Sequence, residues 1–421
     1  MLPASFLTFL APLLARVFSP ALEPPPEPVA FELRHIHAVT SDGRVFLSDT
    51  HLPPATQTQY ADRPLLRTRK VKRRRPSSID AVIKPRSSAG EFEESAEPGW
   101  GWDEDEVEAP DISSRATLHT LAKMTANAYY NDSGQGGWYE LGANWTWHAP
   151  IGWEPDNDGF RGHIFASSDN STVVLAIKGT STAVFRGGGP TSRKDKLNDN
   201  LLFSCCCARV DWTWSTVCGC YRGGWKCDQS CLEDALIQES LFYPVGTNLY
   251  NNLTYMYPHA NIWLAGHSLG GALASLLGVT FGAPTVAFEA PGERMAAQRL
   301  HLPMPPALQP VTHVYHTADP IAMGTCNGVL SSCAIAGYAM ESRCHLGEVI
   351  EYDTVSNLSW GVDIRTHSIA NVIDKVLGEP WLPAVALGRE VPEPRLQDDC
   401  VECYSWEFGD FNSTGTAKTC R

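Results

Sequence analysis

The stretch NIWLAGHSLGGALASLLGVT, residues 261–280, decides the fold. A short apolar run enters Gly266-His267-Ser268-Leu269-Gly270, and small apolar residues follow at helical spacing. This G-x-S-x-G pattern is typical of a nucleophile elbow, in which a serine sits on a tight strand-to-helix turn. Glycine leaves room for the close approach of strand and helix. The pattern predicts Ser268 as a nucleophile at a helix N-terminus, where partial positive charge favours an anionic intermediate. The alternative is a Gly-rich connection whose serine only caps or packs.

Candidate strands alternate with candidate helices on both sides of the elbow. We predict helices at 112–130 and 230–241, a further helix from about 365 to 377, a hairpin at 162–166 and 172–177, and strands at 285–288 and 311–316. A strand or two could also occupy 31–49. This alternation predicts an α/β fold with a mainly parallel sheet and helices on both faces.

Composition limits the partners and the compartment. The 421 residues are 43% hydrophobic and 10% aromatic, which permits a large core, and the net charge of −14 argues against nucleic acid. Thirteen cysteines form clusters at 205–231, 326–344 and 400–420. Because each cluster holds an odd number, at least one disulfide should join two clusters, unless several thiols stay free. A zinc site within 205–231 is the less favoured alternative.

Six N-x-S/T sequons accompany these cysteines. We predict glycosylation at Asn131, Asn144, Asn170, Asn252, Asn357 and Asn412. Six sequons together with dense cysteines favour an oxidising, glycosylating lumen over the cytosol.

The chain divides into four predicted segments. Residues 1–21 are predicted to be a signal peptide, because the apolar run at 4–18 is short for a spanning helix, and an uncut signal anchor is the alternative. Residues 22–110 form an N-terminal segment with a charged, partly disordered linker. Residues 111–385 hold the catalytic domain, and 386–421 form a cysteine-containing extension with disulfides.

Two charge runs lie within the predicted linker. The first, 67–75, is basic, and the second, 91–108, is acidic. We interpret them as solvated linker rather than as a processing site or a patch for lipid headgroups. His35, His37 and His51 are interpreted as ordinary surface or hairpin residues.

Ser268 needs a base to take its proton and an acid to orient that base. In the α/β-hydrolase fold the three follow in the order serine, acid, histidine. Asp319 follows a predicted strand, where such sheets present catalytic groups, and His367 lies in a later loop. Rival bases and acids remain open: His313, His316, His345, Asp353 and Asp363. We expect His267 to pack or hydrogen-bond near the elbow.

An oxyanion hole needs two donors directed at the developing negative oxygen. One candidate is the backbone N–H of Leu269, directly after Ser268. The second is Thr180 in Lys178-Gly179-Thr180, although a plain turn threonine fits that position equally well.

These segments together resemble the class 3 lipases of filamentous fungi over residues 112–377. The matching motifs are Lys178-Gly179-Thr180, Gly266-His267-Ser268-Leu269-Gly270-Gly271, Asp319-Pro320 and a late histidine. The resemblance implies Thr180 and Leu269 as oxyanion donors and a surface lid within 181–200. The implied hydrolysis needs neither a metal nor an organic cofactor.

The chain is more similar still to the fungal autophagy-related lipases within that group. The shared motifs are His37-Ala38-Val39, Cys344-His345-Leu346-Gly347, Asp363-Ile364-Arg365-Thr366-His367-Ser368-Ile369 and Asp399-Cys400-Val401-Glu402-Cys403. This likeness implies a single-pass type II glycoprotein of the endoplasmic reticulum, Golgi, multivesicular bodies and vacuole lumen. Its implied partners are membrane phospholipids and neutral lipids of intravacuolar vesicles. Another lumenal esterase or thioesterase, or an inactive membrane-tethering glycoprotein, remains the alternative.

Overall fold

A computed structural model describes twelve stretches of the chain. They are residues 27–39, 44–50, 63–76, 102–130, 136–141, 159–180, 192–206, 216–239, 242–302, 309–324, 342–402 and 406–411. The predicted anchor at 1–21 and His51 lie outside these stretches. Within them, no helix is both long enough and apolar enough to cross a membrane.

A ten-stranded sheet forms the centre of the fold. Its strands are β1 (Val29–Val39), β2 (Val45–Asp49), β3 (Leu65–Leu66), β6 (Gly162–Ser167), β7 (Thr172–Ile177), β10 (Asn261–His267), β11 (Thr285–Phe288), β12 (Val311–His316), β13 (Glu348–Tyr352) and β14 (Arg395–Leu396). The order is β14-β13-β12-β11-β10-β7-β6-β1-β2, with β3 also paired to β1. Strands β7, β10, β11, β12 and β13 run parallel. Strands at both margins are antiparallel, so the predicted parallel sheet is a parallel core within a mixed sheet.

Helices cover both faces of this sheet, as predicted. They are α1 (Arg115–Asn127), α2 (Ser192–Phe203), α3 (Gln229–Glu239), α4 (Phe242–Met256), α5 (Leu269–Phe281), α6 (Arg294–Arg299), α7 (Thr354–Leu358), α8 (Ile369–Asn371, continued by a π-helical turn at Val372–Val376) and α9 (Leu382–Val385). Alternate strand residues enter two separate cores, because side chains alternate across a strand. Leu264 packs on the α5 side, and Ala265 packs on the α1 side.

The sheet extends into the segment that was predicted to precede the catalytic domain. Strand β1 lies between β2 and β6, so residues 29–39 belong to the sheet. His37 on this strand is fully buried, and burial lowers its pKa to about 3. His35 is also largely buried, between Asp49 and Tyr257. The hairpin alternative for His35 and His37 is confirmed, because β1 pairs antiparallel with β2. The surface alternative is wrong, because β1 lies inside the sheet and is covered on both sides.

The described parts of the two charge runs, residues 68–75 and 102–108, pair with each other, so the prediction of a solvated linker is wrong for these residues. Residues 91–101 lie outside the described stretches. Strand β4 (Thr68–Pro76) runs antiparallel to β5 (Trp102–Pro110). Their register sets five basic residues opposite five acidic ones, and the closest pair is Arg73 Nε to Asp105 Oδ1 at 2.6 Å. Opposite charges facing each other across a ladder stabilise the pairing.

Four disulfides are present among the described residues. Three lie within the first cluster: Cys205–Cys227, Cys206–Cys218 and Cys220–Cys231. The fourth, Cys344–Cys400, confirms the prediction that a bridge joins two clusters. The sulfurs of Cys206, Cys218 and Cys220 lie close enough together to suggest a metal site, but all three are in disulfides. The first cluster is therefore a disulfide-bearing insertion before α3.

The C-terminal extension is joined to the main sheet twice. Strand β14 pairs with the edge strand β13, and Cys400 is bonded to Cys344. A second small sheet of β15 (Glu407–Gly409), β9 (Lys226–Asp228) and β8 (Tyr221–Gly223) connects the extension to the cysteine-rich insertion.

The lengths of the closed loops predict how much each bridge stabilises the fold. Cys344 and Cys400 are separated by 56 residues, whereas Cys206 and Cys218 are separated by 12. Removing the first bridge by a double substitution to alanine should lower the free energy of unfolding by about 4 kcal/mol, and removing the second by about 3 kcal/mol. Urea titrations of both variants check this order. A larger loss for the Cys206–Cys218 variant would contradict it.

Candidate active site

Ser268 occupies a strained turn between β10 and α5. Its backbone has φ 56° and ψ −130°, a region that residues other than glycine rarely adopt. Strand β10 ends at His267 and α5 begins at Leu269, which is the predicted strand-turn-helix arrangement. A Cβ on Gly266 would collide with the carbonyl oxygen of Gly270, so glycine is required at this crossing. Such strain, stored at one residue, is typical of functional sites.

The three side chains proposed as a triad lie in one hydrogen-bonded row. His367 Nε2 is 2.8 Å from Ser268 Oγ, and His367 Nδ1 is 2.6 Å from Asp319 Oδ2. His367 and Asp319 are fully buried, whereas Ser268 keeps 8% of its surface exposed. Asp319 Oδ1 accepts the N–H of Ile321 at 2.8 Å. Only the reacting end of this row is thus reached by solvent.

Asp319 remains ionised far into the acid range. Burial by itself would raise its pKa, but the charge of His367 and hydrogen bonds from His367 and Glu289 lower the pKa to about 2. A carboxylate in this state can accept the Nδ1 proton of His367 and keep the other ring nitrogen directed at Ser268.

The rival bases face other partners. His345 directs its ring nitrogens to the carbonyl of Ala290 and to Gln397. His313 pairs with Glu293 at 2.9 Å, and His316 Nε2 lies 3.2 Å from the carbonyl of Thr366.

The rival acids cap helices instead. Asp353 accepts the N–H of Ser356 at the start of α7. Asp363 caps the short 3₁₀ turn at Ile364–His367 and pairs with Arg365. The structure therefore brings Asp319 and His367 to Ser268, and none of the five rivals.

His267 hydrogen-bonds next to the elbow, as expected, and it also holds the loop that carries His367. Its Nε2 donates to the backbone carbonyl of His367 at 2.8 Å. Its Nδ1 can then only accept, and Tyr129 Oη lies 2.7 Å away. Burial lowers the pKa of His267 to about 3, so the ring is neutral and this arrangement is stable in acid. The sequence offered no signal for Tyr129, which lies 138 residues upstream.

Thr180 lies beside the elbow and is held by a buried carboxyl. A Cβ on Gly179 would be 3.1 Å from Ser268 Cβ, so the loop after β7 packs directly on the nucleophile. Thr180 Oγ1 is hydrogen-bonded to Asp199 Oδ2 at 2.6 Å. Burial raises the pKa of Asp199 to about 7, against the effect of the Thr180 hydrogen bond. The sequence analysis assigned no role to Asp199.

The other oxyanion candidate and the predicted lid can be located in part. Leu269 is the first residue of α5, and the first amides of a helix have no intrahelical acceptor. Of the predicted lid, residues 181–191 lie outside the described residues. The remainder belongs to α2, in which buried Asp195 pairs with Lys178 Nζ at 3.0 Å. This ion pair holds the described part of the predicted lid against the loop that follows β7.

Three of the predicted glycosylation sites lie among the described residues. Asn170, Asn252 and Asn357 are exposed, whereas Asn131, Asn144 and Asn412 lie outside the described residues. Exposure makes the first three accessible to a glycosyltransferase.

The fold and this site define a class of protein: a carboxylic ester hydrolase of the lipase type on an α/β-hydrolase fold. A sequence profile of the Lipase (class 3) family matches residues 237–291, which include the elbow. A solved structure, lipase II from Rhizopus niveus, aligns with 56% of this chain and 81% of its own at 16% identity. The TM-score of that alignment is 0.26, too low to add to the argument.

Relatives with similar sequences identify the family more closely. A Cryptococcus neoformans protein named "Putative lipase ATG15" is 51% identical over 375 residues, which cover 75% of this chain and 72% of the relative. The Saccharomyces cerevisiae protein of the same name is 46% identical and covers 82% of this chain and 65% of the relative. The chain belongs to the fungal ATG15 family of class 3 lipases.

The raised pKa of Asp199 predicts a dependence of stability on pH. The unfolded carboxyl ionises near pH 4, whereas the folded carboxyl keeps its proton to about pH 7. The stabilisation is complete below pH 4 and is lost as the pH rises through 7, a change of about 4 kcal/mol. Asp199→Asn cannot ionise and still accepts from Thr180. The difference in unfolding free energy between wild type and this variant should therefore change by that amount from pH 4 to 8. A difference that stays constant would disprove the assignment.

Proposed function

We propose that this lipase is a serine hydrolase that cleaves acyl esters of membrane lipids with Ser268, His367 and Asp319. The observation that carries the proposal is the hydrogen-bonded row from Asp319 Oδ2 through the His367 ring to Ser268 Oγ. A strained serine at a helix N-terminus, a base and an orienting carboxylate are the parts that acyl transfer requires.

The geometry supports a two-stage reaction. His367 Nε2 takes the proton of Ser268 as Oγ attacks the acyl carbonyl, and Asp319 stabilises the imidazolium through Nδ1. Two donors stabilise the oxyanion in this proposal: one is the backbone N–H of Leu269, and Thr180 supplies the other. His367 then gives its proton to the leaving alcohol, and water activated by the same ring releases the fatty acid from Ser268.

The proposed substrates are phospholipids and neutral lipids of vesicles inside the vacuole, including autophagic bodies and multivesicular-body vesicles. Two observations support this proposal. The chain belongs to the ATG15 family, and its disulfides and exposed sequons are typical of proteins in an oxidising, glycosylating lumen. As the likeness to the fungal autophagy-related lipases implies, an uncut signal anchor at residues 1–21 would hold the enzyme in the membrane as a single-pass type II protein on its way there. The lumenal part would carry glycans at the six sequons.

Phospholipid vesicles test both the nucleophile and the substrate class. The full chain should release fatty acid from vesicles faster than from soluble short-chain esters, because a lipase gains rate at an interface. Ser268→Ala should abolish release in both assays, while its melting temperature matches that of the wild type.

The outcomes separate the alternatives. Activity on soluble esters alone would favour an esterase or thioesterase. A folded wild type that cleaves neither substrate and resists labelling by a fluorophosphonate would favour an inactive tethering protein. Full activity in folded Ser268→Ala would remove Ser268 from the mechanism.

Asp319→Asn tests the orienting role. Asn keeps the size of the side chain but favours the wrong tautomer of His367. We expect kcat to fall by about 10⁴-fold, as the same change does in a serine protease triad. Measured rates within tenfold of the wild type would assign the acid to another residue.

A further inference from the structure

A second buried carboxyl lies behind the proposed triad and has no part in the mechanism above. Glu289 directly follows β11, and Asp319 lies three residues after the adjacent parallel strand β12. The Glu289 N–H donates to the carbonyl of Val314 on β12 at 3.0 Å. Glu289 is 1% exposed and Asp319 is 0% exposed.

The two carboxyl groups are hydrogen-bonded to each other, so one of them must carry a proton. Each side chain is within hydrogen-bonding reach of the other, and two ionised carboxylates in contact in a buried site would repel strongly. Asp319 already faces the His367 ring and the N–H of Ile321, both of which favour its charged form. Burial and the charge of Asp319 raise the pKa of Glu289 well above its usual range. The proton therefore lies on Glu289.

The other titratable groups around the pair do not change this assignment. From β12, His316 Nε2 lies 3.8 Å from Glu289 Oε1, and burial lowers the pKa of His316. From β10, His267 is neutral because of its burial. His367 faces Asp319 from the later loop.

The backbone at Glu289 indicates that its position is specifically maintained. Its φ is 44°, a left-handed value that costs free energy for any residue with a side chain. Such conformations persist where the surrounding structure enforces them, commonly at active sites.

We propose that Glu289 is a positioning residue that donates a hydrogen bond to Asp319, fixing the carboxylate and drawing part of its negative charge away from His367. The inference rests on the proposed triad. A carboxylate that shares its charge attracts the imidazolium proton less strongly. Removing the donor should therefore move the acid limb of the activity profile to higher pH.

Glu289→Leu and Glu289→Gln form a matched pair of similar volume for testing this. Leu removes the donor, whereas Gln keeps a neutral donor. We expect the acid limb of the kcat/KM profile to move up by about one pH unit in Glu289→Leu, the size of effect of losing a hydrogen bond to a charged group. The limb should stay in place in Glu289→Gln. If Glu289→Leu does not fold, as judged by circular dichroism and melting temperature, Glu289→Met replaces it.

The outcomes are decisive for Glu289 separately from the triad. An unshifted limb in folded Glu289→Leu or Glu289→Met would show that Glu289 does not tune the base. A limb that moves in Glu289→Gln would show that the neutral donor is not what matters. Full activity in Ser268→Ala would instead overturn the proposed function, whatever the Glu289 variants do.

Discussion

The rest of the structure depends on the close backbone contact between the start of α5 and the ends of β7 and β10. A Cβ on Gly270 would lie 2.6 Å from the carbonyl oxygen of Lys178 and would also collide with that of Ile177. Without side chains at this crossing, the helix N-terminus reaches the edge of the sheet. That approach bends the chain at Ser268 and brings the loop of Thr180 against the nucleophile. The proposed nucleophile and both proposed oxyanion donors are therefore positioned by a single packing constraint.

Buried carboxyl groups near this contact differ in protonation state, and the partners of each carboxyl group explain the difference. Asp319 is stabilised as an anion by the adjacent His367, whereas Asp199 and Glu289 have raised pKa values because burial opposes their charge. One neutral acid holds Thr180 and the other holds Asp319. Keeping Asp199 and Glu289 neutral limits repulsion with the neighbouring carboxylates of Asp195 and Asp319. At acidic pH, the two supporting acids keep the protonation state that this arrangement requires.

The local structures that were predicted correctly depend on short-range spacing. The elbow, the strand before Asp319 and the hairpin at residues 162–177 each lie within one local pattern. The choice between His367 and His345 could not be made in this way, because both lie in loops far from Ser268 in sequence. It depends on where β13 and the Cys344–Cys400 bridge direct the chain. Glu289 and Tyr129 were missed for a similar reason, since only the folded sheet brings them to Asp319 and His267.

The two-stranded sheet of β4 and β5 shows why composition alone misleads. Each of its strands would be solvated alone, because like charges repel and few side chains are apolar. Paired in register, β4 and β5 neutralise each other and can pack on the fold. Trp263 on β10 donates to the carbonyl of Glu108, and Arg73 donates to the carbonyl of Gly282 at the C-terminus of α5. A cation at that end also favours the helix dipole. Helix α5, which has Ser268 at its N-terminus, is thus bound at its C-terminus by β4, which belongs to the segment predicted to be a partly disordered linker.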